Sequence, residues 1–367
     1  MTAASQPQVR AFTRSFSQLL IHPLATVDSR IRPQSDPAAL APCELSASIR
    51  CMAAHPRFPA VPDCTVLVAH ESRPDEAAAI RVRARAGELV RIAHGRYADA
   101  ERWKGLRPEQ RHHVLVRSLV DRIRPRFVVS HLSAAAVIGV PHVGRWPERV
   151  HLTSPGRDAR TTNATFVVHA DFDPSMAGTW RFRADDLTLT GFDRTAVDLA
   201  MTLPMTEAVV SIDRLLALGA DRDAVLDGVA RRGRKGRRRA LRSVGFADPA
   251  ADSVGESLVR VRLDEYGAPT PVLQRRFTTP GESDIVVDFW LPDQGVVIEF
   301  DGEVKYRDAA MRGGRSAEDV VIAEKYREDR LRSFPEVRGV IRYGWKDVWD
   351  ESAFRAKLRN ARVPMSR

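Results

Sequence analysis

The sequence predicts a mixed α/β (α+β) protein of several domains. Three observations carry this. The chain has 367 residues, more than a single core usually fills. Short runs rich in Val, Ile and Leu alternate with helical stretches along most of it. The last part reads in the order α-β-β-β-α-β, that of a compact α/β domain.

Composition narrows the partners. With 57 Lys+Arg against 47 Asp+Glu the formal charge is +10 and the pI is near 10.0, which favours polyanions through counterion release. Arg- and Ala-rich usage in a biased genome produces the same excess, so charge alone marks no site. Cys43, Cys51 and Cys64 are odd in number and show no C-x-x-C spacing, which suggests neither a disulfide framework nor a zinc site. No run approaches the roughly 18 apolar residues of a membrane span, and Ser17 to Val27 is too polar for a signal peptide's apolar region. The expectation is a cytoplasmic protein with no membrane partner.

Residues 1–62, rich in Pro, Ser and Ala and without sustained period, read as a disordered extension. Order begins at Thr65-Val66-Leu67-Val68. A helix over 74–86 follows, with Pro74 in its first turn and Gly87 as its stop. Glu88 to Ile92 and Arg96 to Ala98, joined through Ala93-His94-Gly95, form a hairpin. A basic helix before a hairpin is the outline of a winged helix, assigned to 63–105. Arg81, Arg83 and Arg85 on the helix, with Arg91 and Arg96 on the hairpin, are candidate DNA-backbone contacts.

Residues 106–230 read as an α/β middle domain: a helix over 108–123, a strand at Phe127 to Ser130, and a small-residue helix from Ser133 to Gly139. Strands at Val150 to Thr153 and Thr165 to His169 precede helices over 194–203 and 207–218. His131 reads either as a buried or capping histidine or as a catalyst. Arg194 and Asp198, at i and i+4, fit a salt bridge.

Eight basic residues fall between Arg231 and Arg242. This linker or helix, assigned to 231–250, is either a solvated face or a phosphate contact through Arg234, Lys235, Arg237 and Arg238.

The final domain, 251–367, holds the main constellation. If Pro292 to Gly295 form a four-residue loop, Leu291 pairs with Val296 and Asp288 falls opposite Glu299. Alternation then projects Asp288, Glu299 and Asp301 from one face, with Val286, Trp290 and Val297. Val287, Phe289, Leu291, Ile298 and Phe300 project from the other. Like charges opposite each other on a ladder destabilise it. Either the face is wet, with Lys and Arg neighbours absorbing the charge, or a hard cation such as Mg2+ or Mn2+ turns the repulsion into affinity.

The helix acid Glu256, Val287-Asp288-Phe289, Glu299-Phe300-Asp301-Gly302, Lys325 to Leu331 with Arg327, and Val340-Ile341-Arg342 occur in that order. In this the domain resembles the PD-(D/E)XK nuclease superfamily, in the branch similar to very-short-patch repair endonucleases. The resemblance implies a restriction-endonuclease-like fold and phosphodiester hydrolysis, with Asp288 and Glu299 as metal ligands and Asp301 and Glu256 as outer ligands or water-orienting groups. Asp301 stands where the superfamily usually has lysine, leaving Lys305 or Lys325 as the cationic catalytic group, with Arg327 beside them as a DNA contact. The helical spacing equally allows Arg327 and Arg330 to pair with Glu324 or Asp329.

Upstream, Gly87 to Ile92 with Gly95-Arg96-Tyr97, Ser130 to Ala135, and Thr190 to Ala200 resemble the AbiEi antitoxin family of abortive-infection systems. That resemblance implies a DNA-binding winged helix, a family-specific α/β domain and a cognate toxin or other protein partner. Two functions stay open at this level: an Mg2+-dependent endonuclease acting on DNA in phage defence or repair, and a non-catalytic antitoxin or transcriptional regulator that uses a degenerate nuclease fold for binding.

Overall fold

The structure, a computed structural model, describes residues 62–154, 160–170, 179–182, 187–302 and 317–366. All of them belong to one unit, Leu45–Arg367. Apart from Pro62, the extension expected over 1–62 lies outside the described residues, as does Lys305. Among the described residues the fold is mixed α/β, with three sheets.

The first sheet is small. β1 (Val66–Val68), β2 (Leu89–Ala93) and β3 (Arg96–Asp99) run antiparallel in the order β1-β3-β2. Between β1 and β2 lies α1 (Pro74–Arg85), with Asp75 and Glu76 in its first turn and Arg83 and Arg85 in its last, the arrangement its dipole favours. Gly87, at φ +82°, turns the chain after it.

A 3₁₀ turn, Val120–Arg122, follows α2 (Ala100–Gly105) and α3 (Pro108–Ser118). The middle sheet gathers β4 (Val128–Val129), β5 (Val150–Ser154), β6 (Thr161–Thr162), β7 (Phe166–Ala170), β8 (Thr179–Phe182) and β9 (Leu187–Thr190) in the order β6-β7-β5-β4-β9-β8. β5 runs parallel to β7 and β4 parallel to β9. Around it pack α4 (His131–Ile138), α5 (Phe192–Thr202), α6 (Met205–Ala217), α7 (Arg222–Arg231) and α8 (Arg237–Phe246). Every residue of α4 is buried, which explains its Ala-rich composition: small side chains admit close neighbours on all sides. Val129, Leu152, Leu189, Val197, Leu199, Ile212 and Leu215 form the centre of this core.

The final region has α9 (Val254–Glu265), β10 (Val272–Phe277), β11 (Ile285–Leu291), β12 (Val296–Phe300), α10 (Ala317–Ser333), β13 (Gly339–Tyr343), α11 (Trp345–Trp349) and α12 (Glu351–Asn360). The sheet order is β10-β11-β12-β13; the first three strands are antiparallel, and β13 joins β12 in parallel after α10. The α-β-β-β-α-β order is as expected, but both sheet faces carry a core; Val286 stays 37% exposed, and Val287 packs on the face opposite to the one expected. Phe289, Leu291, Ile298 and Tyr343 pack against Leu258, Phe354 and Leu358 on one side. On the other, Trp290 and Val297 form a second core with Phe277, Leu331 and Val337, and Ile285 and Val287 join it.

The middle and final regions meet at a buried ion pair. Arg260 Nη2 on α9 donates to both oxygens of Asp213 on α6, at 2.8 and 2.7 Å. Asp213 also accepts from Ser257 Oγ and from the Asp248 N–H, each at 2.7 Å. Arg260 additionally donates to the Phe246 carbonyl and lies over the Phe246 ring. Val210 of α6 enters the final region's core beside this pair. Burial pushes the Asp213 carboxyl up, and Arg260, Ser257 and the Asp248 N–H pull it back.

Arg260→Met leaves Asp213 buried without its counter-ion and is expected to lower stability by about 3–5 kcal/mol. Replacing both partners with apolar residues, Asp213→Leu with Arg260→Met, should recover much of that loss. Urea unfolding of the three proteins measures it.

Candidate functional site

The loop Pro292 to Gly295 pairs Leu291 with Val296, Trp290 with Val297 and Phe289 with Ile298, the register counted from the sequence. At the next position a side chain takes over from the ladder: Asp288 Oδ2 accepts the Phe300 N–H at 2.7 Å. Asp288 therefore leans onto β12, next to Glu299.

Glu299 is buried and held by two arginines. Its Oε1 accepts from Arg327 Nη2 at 2.7 Å, and its Oε2 lies 3.4 Å from Arg342 Nε. The parallel ladder sets Glu299 beside Arg342. Glu324, Arg327, Glu328 and Leu331, at i, i+3, i+4 and i+7 of α10, share one helix face. Leu331 enters the second core, and Arg342 reaches Glu324 at 2.7 Å and Glu328 at 2.9 Å. Burial opposes the charge on Arg327 and Arg342, but Glu299 and its acidic neighbours hold both pKa values above the ordinary range.

Glu256 sits in the first turn of α9, where Ser253 Oγ accepts the Glu256 N–H. Its Oε2 accepts from the Asp252 N–H and from Gln274 Nε2, both at 3.0 Å. Burial raises its pKa, and the nearby Asp288 carboxylate raises it further. α9 comes this close to β12 because Gly255 has no side chain: a Cβ there would lie 2.0 Å from Phe300 Cε1.

Glu256 and Asp288 are thus neighbours, Glu299 precedes the Phe300 whose N–H Asp288 accepts, and Asp301 follows it, its N–H donating to the Tyr343 carbonyl at 2.8 Å. Among the described residues, Asp288, Glu299 and Asp301 do not form a group whose oxygens all lie within 4.8 Å of one another. Lys325 is exposed on α10.

The arginines proposed for DNA divide into two sets. Arg81 and Arg85 are exposed on α1; Arg83 pairs with Glu88 at 2.8 Å, and Arg91 is 3.0 Å from His94 Nδ1. Arg96 is a correction: it is 2% exposed and donates to both oxygens of Asp121 at 2.5 Å, so it cannot face a phosphate. Its position in a tight hairpin points it inward, where it ties the first sheet to the turn after α3. Arg327 is likewise engaged, with Glu299, Glu324 and the Val286 carbonyl. Arg330 pairs with Glu282 instead of Asp329.

In the basic run, Arg234, Lys235 and Arg238 are exposed. Arg237 instead donates to the Ala230 and Arg232 carbonyls at the end of α7, as a C-terminal cap. Arg239 donates to the Met201 carbonyl, and Arg242 pairs with Asp264.

Two upstream motifs meet in a buried polar cluster. Arg194 and Arg232 both pair with Asp198 Oδ1, at 3.0 and 2.9 Å. His131 Nδ1 lies 2.9 Å from Ser130 Oγ and 3.6 Å from Asp198 Oδ2. Both contacts use the same ring nitrogen, so Ser130, His131 and Asp198 do not form a nucleophile–base–acid relay. The sequence reading passed over His151 and His169, which join the cluster; a histidine inside an otherwise apolar strand was the available signal.

No family model matches the chain. Two uncharacterized proteins of Mycobacterium tuberculosis, MT2308 of strain CDC 1551 and Rv2248 of strain H37Rv, are each 30% identical to it over 154 residues, 41% of this chain and 55% of theirs. The chain thus spans about half the length of these curated relatives. The crystal structure of the RV2827C protein from Mycobacterium tuberculosis is similar at 18% identity with a TM-score of 0.31, over 64% of this chain and 87% of that one.

The buried histidines make stability depend on pH. Burial holds His112 at about 3 and His113 at about 4, so both stay neutral in the native state while their unfolded counterparts protonate near 6.5. Over the window between about pH 6.5 and 4 the unfolded state binds more protons, so stability falls as pH falls, by up to about 1.4 kcal/mol per pH unit for each. Urea midpoints measured from pH 7 to 4.5 should show this slope, and His113→Gln should flatten it.

Proposed function

We propose that the protein binds DNA and that its final domain is a metal-dependent endonuclease acting on DNA phosphodiester bonds, in a cytoplasmic setting of phage defence or repair. The observation that carries this reading is the acidic cluster at one end of the β11–β12 hairpin. Asp288 lies near Glu256 and accepts the Phe300 N–H, and Glu299 meets Arg327 and Arg342, which also reach Glu324 and Glu328. Such a donor set suits a hard divalent ion such as Mg2+ or Mn2+, and Asp288, Glu299 and Asp301 would hold it. When bound, the ion supplies a water of lowered pKa and charge stabilisation at the phosphorus.

The chain's own groups do the rest. Asp288 is fixed by the Phe300 N–H, and Glu256, with its raised pKa, is suited to exchanging a proton with water beside Asp288. The exposed Lys325 on α10 is a cationic group able to meet a phosphate, while Arg327 positions Glu299. Arg234, Lys235 and Arg238 offer backbone contacts that carry no sequence preference. Among the described residues no helix is long and apolar enough to cross a membrane.

A second reading rests on the Arg327–Glu299–Arg342 contacts, which occupy the central carboxylate, and on Asp301 at the usual lysine position. On it the domain is a non-catalytic DNA- or toxin-binding module of an antitoxin or transcriptional regulator.

Plasmid and linear DNA incubated with wild type and with Asp288→Ala/Glu299→Ala, with Mg2+, Mn2+ or chelator, separate the two. The catalytic reading expects metal-dependent cleavage by wild type alone. No cleavage by either form, or equal cleavage by both, removes it. For binding, replacing Arg234, Lys235 and Arg238 with Ala should weaken affinity for all sequences and reduce the logarithmic salt slope by up to about 3; an unchanged slope would remove these contacts.

A further inference from the structure

β5 and β7 are parallel neighbours, and His169 pairs with Thr153, two residues beyond His151 on the same face. His151 and His169 are therefore diagonal neighbours, with His169 Nε2 3.2 Å from His151 Nδ1. Two imidazole nitrogens bound to one tetrahedral zinc ion would be about 3.3 Å apart, given bonds of roughly 2.05 Å. His131 enters from the turn after β4 at φ +54°, a left-handed backbone that a non-glycine residue rarely adopts. Its ring stacks on His169 with centroids 3.7 Å apart and stands edge-on to His151 at 5.7 Å. Nitrogens of all three rings lie within 4.8 Å of one another.

We propose that His131, His151 and His169 form a binding site for a divalent transition-metal ion, zinc or one of similar chemistry. A set of imidazole nitrogens selects such ions over magnesium or calcium, which take oxygen. Around the rings, the site has the support that ligand histidines need. His131 Nδ1 faces Ser130 Oγ and Asp198 Oδ2, which leaves Nε2 for the ion. Asp198 Oδ2 is buried and makes no hydrogen bond among the described residues, so it is free to accept from the imidazole as its ring turns.

His131 is buried, whereas His151 and His169 are partly exposed, giving the ion an entry side. Binding replaces the His131–His169 stack with convergence of the rings on one point.

The test uses the full tag-free chain, stripped with chelator and titrated with Co2+. With Mg2+ in excess to fill oxygen-donor sites, one cobalt ion per chain is expected, with the visible absorption of four- or five-coordinate cobalt, and Zn2+ should displace it. His151→Gln and His169→Gln should each weaken binding by at least about 100-fold, Asp198→Asn by about 10–100-fold, and His113→Gln should leave it unchanged. Zn2+ should raise the melting temperature of wild type but not of His169→Gln, which also shows that this variant still folds. Absence of stoichiometric binding, or binding retained in folded His151→Gln and His169→Gln, overturns the proposal.

Discussion

The contact between Asp213 and Arg260 sets the positions on which much else depends. It joins α6, a helix of the middle core, to α9, a helix of the final core, through charge-assisted hydrogen bonds from which water is excluded. Because the pair is buried, its geometry is demanding: each group needs every partner it has, and few relative placements of the two helices supply them all. α9 is in turn the element that carries Glu256 to the β11–β12 hairpin. The place where two regions of the chain join therefore governs one wall of the acidic cluster.

That cluster balances repulsion among its acids with arginines drawn from distant parts of the chain. Arg342 arrives through the parallel pairing of β12 with β13, and Arg327 through the crossover helix between those strands. Both are consequences of topology, so the same crossover that completes the sheet also supplies the counter-charge. The middle region shows the reverse composition: two guanidinium groups share one oxygen of Asp198 while neutral imidazoles crowd the other. A hard, acidic centre and a softer, nitrogen-rich one thus occupy different sheets of one chain.

Local signals were legible from residue order. Pro74, Gly87 and Gly139 mark helix ends, and the four-residue loop Pro292 to Gly295 fixes the hairpin register without reference to the rest of the chain. Contacts between distant segments were not. Arg96 reads as a surface cation, but it lies beneath Asp121, 25 residues away. Trp290 and Val297 read as sharing the carboxylate face, whether wet or cation-bound, and only the fold shows them in a core with Leu331 of α10. His151 and His169 become neighbours only when β5 and β7 pair, and no local period announces that pairing.

Gly255 shows how a missing side chain can act as a gauge. With Phe300 filling the space where its Cβ would lie, the first turn of α9 rests on the end of β12 with no tolerance for lateral play. Phe300 in turn supports the exposed Trp345 edge-on and offers its N–H to Asp288. A small rotation of α9 would press on this ring, shift the N–H that anchors Asp288 and change the spacing between Glu256 and Asp288. The junction between the two regions would then be sensed as a change in proton affinity at the acidic cluster, transmitted through one aromatic ring.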